Sequence, residues 1–157
     1  MSLALVLMLS TVSVTGIGMP VDSKVIDKQL AAEYRQIELG FRNNDPTAWI
    51  QRLSPEFHLT LFSGQKQNRE WVVDYVRNNA KTFRIRPLSM RIKSLERNDS
   101  GVTAIVEQRS IRTFTDDKGR PHRLEVGALQ RETWEQNPDG WRSRAVQEWK
   151  LLYLRKR

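Results

Sequence analysis

The chain of 157 residues contains no cysteine and only two histidines, His58 and His122. Without cysteine there is no disulfide scaffold, no thiol nucleophile and no thiolate metal site. The compartment stays open, because exported domains can also lack disulfides. With two histidines, a zinc or iron site would need carboxylates for most of its ligands, so neither a metal nor a cofactor is expected. Zinc-finger spacing, a glycine-rich RNA-binding loop and a tight basic helix are also missing, and nucleic acid is not expected as a partner. There is no internal repeat, low-complexity linker or second domain.

What is present fits one soluble globular domain: 39% apolar and 28% charged residues. The net charge is +8, from 26 Lys and Arg against 18 Asp and Glu. Acidic partners, phosphate and anionic lipid are compatible with that charge. A solvated basic surface explains it more simply, since the basic residues are spread along the strands. Arg155-Lys156-Arg157 is the one local cluster, at the end of the sequence.

Residues 1–20 carry no charge. Residues 3–9 form an apolar run of signal-peptide length, and the small residues Ser10, Thr11, Ser13, Thr15, Gly16 and Gly18 follow. An export signal cut near Gly16 to Gly18 is one reading. The lack of Lys or Arg before the run, and of a clear Ala-x-Ala, speaks against it. A disordered leader, an upstream translation start and an N-terminal β-segment are the others. The run is too short and broken for a membrane span. Location follows the leader: periplasmic or secreted if it is a signal, cytoplasmic if not. The single domain is expected over 22–157.

Within it, Ile26, Leu30, Tyr34, Ile37 and Phe41 recur at steps of three and four, which predicts a helix over 23–41 with one apolar stripe. Asn43-Asn44-Asp45-Pro46 stops it and opens a short helix over 46–53, ended by Ser54-Pro55. Residues 57–62 alternate as a strand. Asn68 caps a helix over 69–79. Long strands are expected over 82–97, 102–115, 122–135 and 141–154, separated by Gly-bearing turns. Pro87 should lie at an edge or bulge. The fold class is α+β: three N-terminal helices packed on a curved, mostly antiparallel sheet.

This order resembles the nuclear transport factor 2-like superfamily, which includes polyketide cyclase-like (SnoaL-like) proteins, ketosteroid isomerase and scytalone dehydratase. The likeness is carried by "YRQIELGFRNNDPTAWIQRLSPEFHLTLFSG" and by "NPDGWRSRAVQEWKLLYL", a last strand opened by Gly-Trp. It implies a cone-like domain with an internal cleft. Isomerase-like members place a tyrosine in the cavity as part of an oxyanion hole, and Tyr34 or Tyr75 matches such a place. Their proton-accepting aspartate falls at Thr60-Leu61-Phe62, where no carboxylate stands, so steroid-isomerase chemistry is not implied. Dehydratase-like members use a histidine–aspartate pair, which makes His58 and Asp74 the candidate catalytic residues.

Each candidate has a plainer alternative. His58 can be a general base or a sheet-surface histidine. Asp74, between Trp71 and Tyr75, can face the cleft or pair with Arg77 or Asn78 on the helix exterior. Glu107 and Arg109 share one face of their strand; Gln130 and Glu132 share another with Ala128 and Trp134; Gln147 shares one with Trp149. Such mixed faces suit a cavity that orients a mostly apolar ligand, and equally a cross-strand ladder. Which face is concave is not legible. The five tryptophans, Trp49 among them, suit stacking on a flat ligand or core packing. Three functions stand, two of them foremost: a small-ligand or protein-binding domain, homodimeric through the sheet, or a cofactor-independent isomerase, dehydratase or cyclase acting on a small apolar substrate. A basic accessory protein is the third.

Overall fold

The computed structural model describes residues 23–79, 83–99 and 101–156; the expected leader at 1–20 lies outside them. The elements run α1 (Ser23–Arg42), α2 (Thr47–Ile50), β1 (Leu53–Thr60), β2 (Lys66–Asn68), α3 (Arg69–Asn79), β3 (Phe83–Asn98), β4 (Gly101–Thr115), β5 (Pro121–Asn137) and β6 (Gly140–Lys156). The strands form one six-stranded sheet in the order β2-β1-β6-β5-β4-β3. All neighbours are antiparallel except β1 and β6, which are parallel. The architecture is α+β with a mixed sheet.

The helices differ in detail from the sequence reading. α1 matches its apolar stripe, and Ile26, Leu30, Tyr34 and Ile37 are buried along it. It ends where Asn44 takes a left-handed conformation (φ 61°). α2 is a single turn, not a helix over 46–53. Its successor Leu53 already belongs to the sheet, because the Ser143 N–H donates to the Arg52 carbonyl at 2.7 Å. Pro55 also disfavours a helical Ser54. α3 is capped as expected, with the Trp71 N–H on Asn68 Oδ1 at 2.9 Å, but it follows two strands and is not N-terminal to the sheet. Pro87 sits in edge strand β3 beside a register shift, as expected of a proline within a sheet.

Two apolar clusters hold the domain. One packs α1 (Ile26, Leu30, Tyr34, Ile37) on Val102, Ala104, Val106 and Trp134 of the sheet. The other joins Ile50, Leu53, Phe57, Val72, Val73 and Val146. Trp49 packs against both. Gly101 has φ 157°, and a Cβ there would lie 1.9 Å from the Trp134 carbonyl oxygen. Gly101→Ala should therefore lower stability by about 2 kcal/mol, read as a lower urea midpoint with an unchanged m-value. An unchanged midpoint would show that β4 and β5 separate there at little cost.

Candidate functional site

A cleft of about 300 Å³ opens between the helices and one face of the sheet. Its walls are mainly apolar. α1 and α2 supply Ile37, Phe41 and Trp49; β1 and the residue after it supply Leu59 and Leu61. α3 adds Trp71, Val72, Tyr75 and Val76, with the Trp71 and Tyr75 rings stacked 4.9 Å apart at successive turns. The polar lining comes from the sheet: Gln108 and Arg112 on β4, Gln130 and Glu132 on β5, and Glu148 on β6. Period-two alternation explains these positions. Val102, Ala104 and Val106 put the even-numbered face of β4 into the core, and the same face continues to Gln108 and Arg112 as cleft wall.

The most unusual group is Glu132, whose side chain is buried with the residue only 3% exposed. It stands opposite Ala104 in the register, a small neighbour that leaves room for Tyr34. Tyr34 donates its hydroxyl to Glu132 Oε2 at 2.9 Å, and Trp134 Nε1 donates to the same oxygen at 3.1 Å. Trp134 Nε1 also lies 3.0 Å from the Tyr34 hydroxyl oxygen, which accepts from it. Burial pushes the Glu132 carboxyl up to about 7, although both hydrogen bonds pull the other way. Burial, then the charge of Glu132, holds the Tyr34 phenol well above its ordinary range, so it stays a donor. Glu132 Oε1 takes no hydrogen bond among the described residues, in a side chain that lines the cleft. A carboxyl with one oxygen fixed and one free, changing charge near neutrality, can accept or give a proton.

Four of the residues singled out in the sequence line this cleft: Trp49, Tyr75, Gln130 and Glu132. Tyr34 stands behind it, touching Glu132. His58 and Asp74 are not among the lining residues. His58 alternates with the cleft-lining Leu59, and Asp74 is exposed on α3 beside Lys66, Gln67 and Asn68. No hydrogen bond joins the two among the described residues. Glu107 and Arg109 lie on the opposite face of β4. Arg109 Nε donates to Glu107 Oε1 at 2.8 Å, and Lys93 stands 3.4 Å from the other oxygen. That hydrogen bond holds the Glu107 carboxyl below its usual range and raises Arg109. Gln147 is exposed, and Trp149 is on the outer face under the Arg131 guanidinium, 5.2 Å from its ring centroid.

Gln108, Arg112 and Glu148 were not picked out from the sequence. The run Val102-x-Ala104-x-Val106 carried the signal for the first two. For Glu148 there was none, because the inward face of β6 passes from Trp141 and Ser143 to Val146, a change of parity. Among the described residues no group of three or more His, Asp or Glu side chains could hold a metal ion. No helix among them is long and apolar enough to cross a membrane.

No protein-family model matches the chain. No curated protein matches it. Solved structures do. The hexachlorocyclohexane dehydrochlorinase LinA-type3 from Novosphingobium barchaimii is 13% identical, with a TM-score of 0.61 over 85% of this chain and 91% of that one. A nuclear transport factor 2-like superfamily protein from Salmonella enterica serovar Typhimurium is 15% identical, with a TM-score of 0.60 over 80% and 91%. Aln2 from a Streptomyces species is 17% identical, with a TM-score of 0.59 over 80% and 91%. At these identities the likeness is one of fold, and the fold is nuclear transport factor 2-like.

Proposed function

We propose that this chain, folded as nuclear transport factor 2-like proteins are, binds a small and mostly apolar molecule in the cleft and exchanges a proton with it through Glu132. The observation that carries this reading is the Glu132 carboxyl, buried in an apolar wall and raised to about 7, with Oε2 held by Tyr34 and Trp134. Near neutral pH both protonation states are populated, which suits a group that must take up and release a proton in one cycle. Isomerisation, dehydration and cyclisation all need such a transfer and no redox partner. Proton transfer is assigned here to Glu132 and not to His58 or Asp74, because those two stand outside the cleft. One neighbour in fold is named as a dehydrochlorinase, so the scaffold is compatible with an enzyme.

The test uses flat apolar carbonyl compounds in D2O. Binding is read by quenching of Trp49 and Trp71 fluorescence, and proton exchange by loss of the NMR signal of the hydrogens next to the carbonyl. Wild type should exchange them, and Glu132→Gln should slow exchange at least about 100-fold while still binding. Binding without exchange in both proteins would reduce the function to ligand binding alone.

A second reading concerns assembly. Trp149, Leu151, Leu152 and Leu154 on β6 are 41–57% exposed, an apolar stretch that a soluble monomer seldom leaves uncovered. We assign it to a homodimer formed through the sheet along this exposed half of β6, where Leu151 and Leu154 share the face of Ala128 and Val126 and Trp149 lies on the other. Sedimentation equilibrium should give twice the chain mass, and Trp149→Asp with Leu151→Asp should give the monomer. A monomeric wild type at high micromolar concentration would end this reading.

A further inference from the structure

Arg112 has a feature that proton transfer does not use. It lines the cleft, and its Nε is buried without a hydrogen-bond partner among the described residues. No carboxylate among those residues is in ion-pair contact with it. A guanidinium N–H buried without a hydrogen bond is costly, and a ligand that supplies an acceptor for it recovers that cost.

The carboxylates of the cleft lie elsewhere. Glu132 faces Ala104 in the β4–β5 register, and Glu148 faces Gln130, which faces Val106. Glu148 is also occupied, its Oε2 accepting the Phe62 N–H at 3.1 Å. Arg112 lies further along β4, opposite Leu124. Glu125, the next residue on β5, pairs with Ile111 and takes a long hydrogen bond from Tyr153 at 3.4 Å. The cleft is thus polarised: two acids towards one end, an arginine without an ion pair among the described residues towards the other, and Gln108 with apolar walls between.

We propose that Arg112 anchors a carboxylate carried by the ligand, so that the substrate class is an apolar carboxylic acid with its anionic end at Arg112 and its body towards Glu132. The inference rests on the reading of the cleft as a small-molecule site. The planar guanidinium offers a carboxylate two parallel N–H donors. Repulsion from Glu148 and from ionised Glu132 disfavours the reversed orientation, so a single pose is selected.

The experiment is isothermal titration of wild type, Arg112→Gln and Arg112→Lys with 2-naphthoate and with its neutral counterpart naphthalene-2-carboxamide. It is run at pH 8 and at roughly 150 mM salt, where long-range attraction to the basic surface is screened. Wild type should bind the naphthoate about tenfold more tightly than the amide, the worth of one hydrogen bond to a charged group. Arg112→Gln should lose that preference, with a circular dichroism spectrum and urea midpoint like those of wild type to certify that it is folded. Arg112→Lys, which keeps the charge without the planar fork, should weaken naphthoate binding about fivefold. Equal affinity of wild type for the two compounds, or an undiminished preference in either variant, overturns the role of Arg112 and leaves the cleft reading standing. If neither compound binds wild type, the cleft reading itself fails and this inference with it.

Discussion

The stability of the folded protein should fall as pH rises from about 4.5 to about 7, and Glu132→Gln should remove most of that fall. The sign follows from linkage. The Glu132 carboxyl is raised from 4.5 to about 7 by burial, so between those values the native state holds a proton that the unfolded chain has released. Stability then decreases with pH. The contribution is fully present below about 4.5 and gone above about 7, and its size is on the order of 3 kcal/mol. Glutamine keeps an acceptor for Tyr34 and Trp134 and never ionises, so the variant should match wild type at pH 4.5 and exceed it at pH 8. Asp116 acts in the opposite direction but in a separate window. The hydrogen bond from His122, followed by those from Arg120 and Lys118, lowers it from 3.8 to about 2, so its contribution is lost as pH falls through that lower range. Urea midpoints at half-unit pH intervals read both effects. A flat profile between pH 4.5 and 7.5 in wild type would mean that Glu132 is solvated in the native state.

The second large effect is expected at Trp134, which is 1% exposed and the largest of the fully buried side chains. Its ring meets the Tyr34 ring edge-on at 5.6 Å, and its Nε1 serves both Tyr34 and Glu132. Trp134→Ala removes that volume from the core between α1 and the sheet and should cost about 4 kcal/mol. Trp134→Phe separates packing from polarity. It keeps most of the volume and loses the N–H, so it should cost about 1–2 kcal/mol and push the Glu132 carboxyl higher still. Denaturation midpoints of the two variants, compared at pH 4.5 and at pH 8, test this. Because the lost N–H favours the ionised carboxylate, the phenylalanine variant should lose more at pH 8. An equal loss at both values would show that the indole does not serve the charged form.

Much of this was legible in the sequence, for reasons that differ by element. The stripe from Ile26 to Ile37 and the cap at Asn68 are local signals, and α1 and α3 follow them. The turns at 98–101, 116–119 and 137–140 force antiparallel neighbours, and β3 to β6 pair that way. The parallel pairing of β1 with β6 brings together residues about ninety positions apart, for example Thr60 with Gln147; no local pattern specifies it. The end of α2 depends on the same pairing, through the Arg52 carbonyl and the Ser143 N–H.

Facing was harder to read, and it decides the site. On β4 the alternation runs unbroken from Val102 to Arg112, so it placed Glu107 and Arg109 on one face without saying which face a helix would cover. The burial of Val102, Ala104 and Val106 settles that: α1 packs on the even-numbered face. On β5 and β6, register shifts at Gly127/Ala128, Leu129/Gln130 and Thr133/Trp134 change which residues oppose one another. Counting by two across such shifts fails, which is how Glu148 was missed. The sequence shows Glu132 as a polar residue beside Trp134. It does not show the raised carboxyl, because that depends on burial under Tyr34, which lies on a helix 98 positions away in sequence.

The most direct measurement is the titration of the Glu132 carboxyl carbon by 13C NMR, assigned by its loss in Glu132→Gln. A midpoint near 7, moving when an apolar carboxylate fills the cleft, is the expected result. A midpoint near 4.5 that no such ligand shifts would mean that the carboxyl is an ordinary solvated acid, and would remove both the proton-transfer reading and the predicted fall in stability.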